Sequence, residues 1–258
     1  MSQERSQVRI WHLQQRKRRG FTKCHQTLVR DKPAEKQSQH SLHLAALTLE
    51  CVLKFVLLVG LTIVVFGFSY SFLALDIYGG PVLSSGEGPM QLKWHCLYIL
   101  VIAINGITEC FMFATMPQTA VDEYNQKMLI FSIMFLLSSF VFTYFGAVGF
   151  ILANCLNMSL RIFHSIIYIN KYFLGTNHTP LKALQLSKPV VLSYAFSFIV
   201  TYISESFFCC SYGWFWRFCH VAVGGICLLI VAFTVYRSEE KLVQFVKERF
   251  FTKTAKSE

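Results

Sequence analysis

The chain has 258 residues, of which 54% are hydrophobic and 15% are charged, with 24 Lys and Arg against 14 Asp and Glu. A soluble domain carries about 25% charged residues, so this composition excludes an ordinary water-soluble enzyme. The charges are also unevenly placed, since several long stretches contain none at all. Because about 20 apolar residues span the hydrocarbon core of a bilayer, the sequence predicts an all-α polytopic membrane protein.

Six apolar segments are predicted to be transmembrane helices. They cover residues 55–75, 94–116, 128–144, 147–169, 190–208 and 218–236. The uncharged run 128–160 is too long for one span, so we place a tight turn at Gly146 and Gly149. After the sixth segment, apolar residues alternate with Lys and Glu, which is typical of an amphipathic helix lying on the membrane. These apolar residues are Leu242, Val243, Phe245, Val246, Phe250 and Phe251. The predicted domains are a basic leader without regular structure at 1–44, a six-helix lobe at 45–236 and an amphipathic tail at 237–258.

The basic residues predict how the chain is oriented. With six spans, residues 1–44, 117–127, 170–189 and 237–258 share one side of the membrane, and that side holds 20 of the 24 Lys and Arg residues. The positive-inside rule therefore places both termini in the cytosol. The sequon at Asn177 falls on the same side, so we expect it to be unmodified. A nucleic-acid-binding leader is the alternative use of the N-terminal charge, but no aromatic-interleaved platform accompanies that charge, and we expect no nucleic-acid partner.

Several polar residues fall inside predicted spans, where an ionisable group costs at least about 2.5–3.5 kcal/mol. In the second span Asn105 lies one helical turn before Glu109. In the fourth span four polar residues share one helical stripe, and they are Asn154, Asn157, Arg161 and His164. Two interpretations stay open. Arg161 is suited to binding a phosphate or carboxylate while the amides bind hydroxyl groups, or Arg161 pairs with Glu109 and interhelical hydrogen bonds hold the bundle together.

Other charged and aromatic residues carry weaker expectations. Glu50 and Lys54 are predicted to form an exposed pair on one helix face. Glu205 and Arg217 are expected at the membrane edge. Three tryptophans are expected in an aromatic belt on the lumenal side, and they are Trp94, Trp214 and Trp216. The sequence contains no P-loop, no GxSxG, no HExxH and no Rossmann glycine run, so we expect neither enzymatic activity, nor a cofactor, nor a metal site.

Three separated motifs resemble one family. They are TIVVFGFSYS at 62–71 with LALDIYGG at 73–80, AINGITECF at 103–111, and GFILANCLNM at 149–158. They are similar to the C-terminal half of the eukaryotic Rft-type proteins of the endoplasmic reticulum, which belong to the multidrug/oligosaccharidyl-lipid/polysaccharide exporters. The resemblance covers about residues 45–250, and it is weak or absent before about residue 28.

This resemblance implies a function and a site. It implies a multi-pass protein of the endoplasmic reticulum membrane that flips a diphosphate-dolichol-linked oligosaccharide from the cytosolic to the lumenal leaflet for N-glycosylation. A complete family member is about twice this long and has two helical lobes, so the chain resembles one lobe, and we expect it to need a missing N-terminal lobe or a homodimer partner. The implied substrate-binding residues are Asn105, Glu109, Asn154, Asn157 and Arg161. The alternative is an accessory protein that supports use of the lipid-linked oligosaccharide without transporting it.

Overall fold

A computed structural model describes residues 34–209 and 213–254, and all regular structure in these ranges is helical. The seven long helices in them are α1 (Gln39–Gly79), α2 (Gly88–Thr115), α3 (Gln118–Phe142), α4 (Gly146–Phe173), α5 (Lys188–Phe208), α6 (Trp214–Ser238) and α7 (Glu240–Thr254). Short helical turns occur at Ala34–Lys36, Pro81–Ser84, Thr143–Phe145 and Pro180–Leu184. Most of the predicted basic leader lies outside the described residues.

The described chain has five helical segments that are long and apolar enough to cross a membrane. One of them, Gln118–Phe173, has 56 residues and is composed of α3 and α4. The two helices are antiparallel, since the ring of Phe131 lies 6.4 Å from that of His164 and the ring of Phe135 lies 5.9 Å from that of Phe150. The all-α polytopic membrane fold predicted from the sequence is therefore confirmed.

Two glycines make the turn between α3 and α4. Gly146 has a φ of +62°, a backbone conformation in which only glycine avoids a steric penalty. A Cβ atom at Gly149 would collide with the backbone carbonyl oxygen of Phe142. The close approach of the two helix ends therefore requires glycine at 149, and the turn predicted at these two residues is present.

Helix α1 has 41 residues, which correspond to about 60 Å and to twice the thickness of the hydrocarbon core. The predicted first span, 55–75, is only its middle and C-terminal part. The N-terminal arm of α1, residues 39–54, is covered by protein, since Leu42 and Leu49 lie in one buried cluster with Phe111 of α2 and Phe173 of α4. The predicted leader boundary at residue 44 falls inside this helix. The predicted helix start is too late because the apolar pattern marks only the residues that a bilayer can cover.

The helices pack in the spatial order α3–α4–α2–α1–α5–α6. The N-terminal arm of α1 also contacts the turn Pro180–Leu184, and His43 lies 5.4 Å from His178 between ring centroids. At the opposite end, Asp76 pairs with Arg217 at 2.6 Å. The connections after α2, α4 and α6 therefore share one end of the bundle, as the predicted alternation of spans requires. Which end faces the cytosol stays a prediction.

Helix α7 packs against the protein through part of its apolar face. Leu242 lies in a buried cluster with Cys51 of α1, and Phe245 and Val246 pack against that cluster. The side chains of Phe250 and Phe251 lie outside the described residues. The apolar face of α7 is the feature that predicted a helix on the membrane surface, and part of this face covers α1. The interfacial position of the tail stays a prediction.

Ion pairs join the helices at both ends of the bundle. Lys54 Nζ lies 2.7 Å from Glu239 Oε2, and Lys93 Nζ lies 3.1 Å from Glu205 Oε1. The predicted pair of Lys54 with Glu50 is therefore wrong, because the junction of α6 and α7 brings the nearly buried Glu239 to this lysine.

Candidate polar site between the helices

The carboxylate of Glu109 is the centre of the candidate site. Glu109 lies near the end of α2, and only 8% of its surface is exposed. Its Oε2 accepts a hydrogen bond of 3.0 Å from Nδ2 of Asn105, one turn earlier on the same helix. Its Oε1 accepts a hydrogen bond of 2.6 Å from the hydroxyl of Tyr124 on α3. A buried carboxylate is stable only with such donors, and here its own helix supplies one and a neighbour supplies another.

Arg161 on α4 completes this arrangement. Its Nε lies 2.8 Å from Glu109 Oε1, and its Nη2 lies 2.7 Å from Glu109 Oε2. This is the bidentate geometry in which a guanidinium and a carboxylate interact most strongly. Of the two interpretations that the sequence left open, the Arg161–Glu109 pair is therefore present, and it leaves the guanidinium 20% exposed. Binding of a substrate by Arg161 stays a prediction.

Tyr124 was not anticipated from the sequence. It was assigned to the loop 117–127, between charged residues, whereas α3 begins at Gln118. Its side chain is almost fully buried against Met112 and Met116. A single tyrosine in a charged segment shows no sequence pattern that would predict its burial. The space that it fills exists only because α2 packs against α4.

The polar stripe of α4 reaches this centre only in part. The amide of Asn154 donates to the carbonyl of Phe150 on its own helix, at 2.9 Å, and it lies outside the Glu109 cluster. The ring of His164 lies 4.9 Å from that of Tyr124. Asn105 and the stripe contribute three buried atoms that have no hydrogen-bond partner among the described residues, and they are Asn105 Oδ1, Asn157 Oδ1 and His164 Nδ1.

These unpartnered atoms define what the site can do chemically. Two are amide oxygens, which accept hydrogen bonds, and the third is a ring nitrogen that accepts in one of the two neutral tautomers. Leaving a buried acceptor unpartnered costs about 1–3 kcal/mol, and a ligand with several hydroxyl groups would remove that cost. Among the described residues no group of His, Cys, Asp and Glu has the geometry to hold a metal ion.

A second buried polar network joins α1, α5 and α6. His220 is fully buried, its Nδ1 lies 2.8 Å from the hydroxyl of Ser204, and its Nε2 lies 3.2 Å from the carbonyl oxygen of Ser69. The ring of Tyr70 stacks on it at 4.2 Å. Sequence analysis missed this network, because a histidine and hydroxyl residues on separate helices show no common spacing. Each polar atom of the imidazole ring has a partner, so the network is suited to holding the helices together.

The described helices thus define a polytopic membrane protein whose spans are joined by buried polar networks and whose centre combines a paired charge with free acceptors. Comparison with known protein families identifies the family of membrane proteins to which the chain is related. The chain belongs to the Rft-1 family (Rft protein), whose model matches residues 17–249. The family model matches from residue 17, whereas the motifs predicted a resemblance from about residue 45. The match therefore includes part of the basic leader.

Individual relatives support the same assignment. The chain is 49% identical over 221 residues to the Man(5)GlcNAc(2)-PP-dolichol translocation protein RFT1 of Mus musculus, which covers 85% of this chain and 41% of that protein. It is 46% identical over 232 residues to the protein of the same name from Xenopus tropicalis, covering 90% of this chain and 43% of the relative. The chain therefore spans about two fifths of the length of these relatives. No solved structure matches the chain significantly.

Proposed function

We propose that this chain takes part in moving a diphosphate-dolichol-linked oligosaccharide from the cytosolic to the lumenal leaflet of the endoplasmic reticulum membrane, for protein N-glycosylation. The names of its relatives support this substrate and this process. The role is transport without covalent chemistry, and both termini face the cytosol. The basic segments that the positive-inside rule places there support this orientation.

One structural observation carries the proposal. The three unpartnered acceptors, Asn105 Oδ1, Asn157 Oδ1 and His164 Nδ1, lie on α2 and α4 beside the Glu109–Arg161 pair. An oligosaccharide headgroup presents many hydroxyl donors and one diphosphate. The free acceptors bind the hydroxyl groups, while the polyprenyl tail stays in the lipid.

Arg161 has the chemistry to bind the diphosphate, although Glu109 holds it in this structure. A guanidinium binds a phosphate in the same bidentate manner as a carboxylate. Transport then includes a step in which Arg161 exchanges Glu109 for the diphosphate and returns when the substrate leaves. Glu109 keeps the hydrogen bonds from Tyr124 and Asn105 during that exchange, which lowers the cost of losing its cation.

The closed geometry of the pair also favours a second candidate function. A guanidinium whose Nε and Nη2 both donate to one carboxylate is a structural cross-link as it stands. An accessory protein that presents the lipid-linked oligosaccharide to glycosylation enzymes would need only this cross-link. Such a protein would tolerate any change of Arg161 and Glu109 that leaves the bundle folded.

The length of the chain bears on how it acts. Because it covers 41% of the mouse relative, we propose that it forms one lobe and encloses the headgroup together with a second lobe or a second copy.

A rescue experiment tests the proposal. The chain is expressed in cells that lack the full-length relative, its membrane insertion is verified, and N-glycan occupancy and accumulation of the lipid-linked intermediate are measured. Restored occupancy supports transport by this chain. A stably inserted chain that restores neither quantity contradicts enclosure of the headgroup by two copies of this chain, and it leaves a second lobe as the required partner.

Charge exchange at the pair separates the two candidate functions. The variant with Glu109→Arg and Arg161→Glu keeps an ion pair between α2 and α4 but moves the cation to α2. An accessory role predicts that the exchanged protein restores glycosylation as well as the wild type does. Transport through Arg161 predicts a folded protein without function. The matched control exchanges Lys93 and Glu205, which pair between α2 and α5 at 3.1 Å away from the site.

A further inference from the structure

A cavity of about 400 Å³ lies where α1 meets the junction of α6 and α7, away from the polar site. Its charged lining residues are Glu50, Lys54, Arg237, Glu239, Glu240 and Lys241. None of the motifs used for the function falls in it. The volume lies within the range of small-ligand pockets, and it is large enough for a phospholipid headgroup.

The depth of this cavity in the membrane follows from α1. Lys54 lines the cavity, and Asp76 at the other end of the same helix pairs with Arg217. The separation of 22 residue steps between them along the helix corresponds to about 33 Å, close to the thickness of the hydrocarbon core. Both ion pairs therefore lie at the boundaries of the apolar layer, and the cavity opens at the level of the lipid headgroups.

Glu239 gives the cavity a chemical preference. It is 7% exposed, and its Oε2 binds Lys54 Nζ at 2.7 Å. Its Oε1 is buried and has no hydrogen-bond partner among the described residues. A buried carboxylate oxygen without a donor is costly, so the cavity favours a ligand that brings a cationic N–H group.

The remaining charges balance one another. Lys54 and Glu239 form a neutral pair, and the cations Arg237 and Lys241 are matched by Glu50 and Glu240. Arg237 and Lys241 are exposed, whereas the unpartnered oxygen is buried. A ligand with an ammonium group that enters and a phosphate that stays at the rim fits this arrangement, while a purely anionic headgroup has no N–H group to donate to Glu239 Oε1.

We propose that this cavity binds the zwitterionic headgroup of phosphatidylethanolamine. The ammonium group donates to Glu239 Oε1, the phosphate lies between Arg237 and Lys241, and the acyl chains extend along the apolar surface of the bundle. Phosphatidylcholine has the same charges but no N–H donor, so it leaves Glu239 Oε1 unpartnered. The site is therefore selective between the two lipids through one hydrogen bond.

Native mass spectrometry of the purified full-length chain in detergent tests this inference. The protein is titrated with phosphatidylethanolamine, its N,N-dimethyl derivative and phosphatidylcholine, all with identical acyl chains. We expect phosphatidylethanolamine to bind at least about fivefold more tightly than phosphatidylcholine, as one charge-assisted hydrogen bond predicts. The dimethyl lipid keeps one N–H group, and we expect it to bind about as well as phosphatidylethanolamine.

Two variants locate the selectivity. Glu239→Gln removes the charge at the unpartnered oxygen, and we expect the preference between the two lipids to disappear. Glu240→Gln is the matched control, because it changes the charge of the cavity equally at an exposed neighbour, and it keeps the preference. The comparison of the lipids on the wild-type protein needs no substitution, so it tests the selectivity of the cavity even if Glu239→Gln fails to fold.

Three results would overturn the inference. Equal binding of phosphatidylethanolamine and phosphatidylcholine would remove the role of the N–H donor. Tighter binding of phosphatidylglycerol, which has no ammonium group, would show an anion site. Soluble phosphoethanolamine binding as tightly as the lipid would show that the source of the ligand is not the membrane.

Discussion

Tyr124 and Arg161 donate to the same oxygen of Glu109, at 2.6 and 2.8 Å. The tyrosine comes from α3, the arginine from α4 and the carboxylate from α2, so three helices meet at one atom. The oxygen is buried, and each hydrogen bond lowers the free-energy cost of keeping the carboxylate charged. Each donor therefore helps to keep the charged acceptor that the other donor needs. The bundle is therefore joined here by a network whose members depend on one another.

Removing one member of the Arg161–Glu109 pair is expected to cost more than removing both. Arg161→Leu and Glu109→Leu each leave a buried charge without its partner, and each should lower the free energy of unfolding by about 3–5 kcal/mol. The double variant leaves no unpaired charge and should be less destabilised than either single one. Equilibrium unfolding in mixed detergent micelles measures all three, and additive losses would contradict the coupling.

Tyr124→Phe tests the hydroxyl alone. It keeps the ring that packs on His164 and removes one donor to Glu109. We expect a loss of about 0.6–2 kcal/mol, in the range of interhelical hydrogen bonds in membrane proteins. Tyr144→Phe is the matched control, because Tyr144 is 90% exposed, and its stability should stay within about 0.5 kcal/mol of the wild type.

Gly149→Ala is expected to disrupt the hairpin of α3 and α4. The added methyl group would meet the carbonyl oxygen of Phe142, which belongs to the backbone and has little freedom to move. The loss of stability should reach about 1–3 kcal/mol or more. Gly106→Ala makes the same chemical change where nothing lies within 4 Å of the new Cβ, so that variant should be as stable as the wild type or more so. Equal behaviour of the two variants in detergent unfolding would contradict this turn.

His220→Ala is expected to loosen the contacts of α6 with α1 and α5. It removes the partner of Ser204 and the ring that stacks on Tyr70, and it leaves a buried hydroxyl without an acceptor. We expect a loss of about 2–4 kcal/mol from the cavity and the broken hydrogen bonds together. His95→Ala changes an exposed histidine of α2 and should be nearly neutral. Limited proteolysis and detergent unfolding of both variants provide the measurement.

The sequon at Asn177 tests the predicted orientation. Asn177 is exposed in the connection between α4 and α5, so its geometry would not prevent modification. With this connection in the cytosol, we expect no shift in mass after glycosidase treatment. A shift that Asn177→Gln abolishes would place this end of the bundle in the lumen and reverse the orientation.

Much of the fold follows from the sequence because bilayer thickness limits how long an apolar run can be. The turn at Gly146 could be predicted from run length alone, and so could the helical positions of Glu109 and Arg161. The start of α1 and the burial of Tyr124 could not, since both depend on which surfaces other helices cover. The pairing of Lys54 was mispredicted for the same reason. Local spacing favoured Glu50, whereas Glu239, distant in sequence, supplies the carboxylate.

The long N-terminal arm of α1 has a consequence for biogenesis. Its residues leave the ribosome before those of α4 to α7, yet Leu42 packs in a cluster that Leu181 joins, and Cys51 packs in the cluster of Leu242. About 190 residues separate Cys51 from Leu242, and their synthesis takes roughly 10–40 s at 5–20 residues per second. During that interval the arm presents apolar side chains that a nascent-chain chaperone can bind. Until α7 has been synthesised, the part of the arm around Cys51 therefore lacks the side chains that cover it in the folded protein.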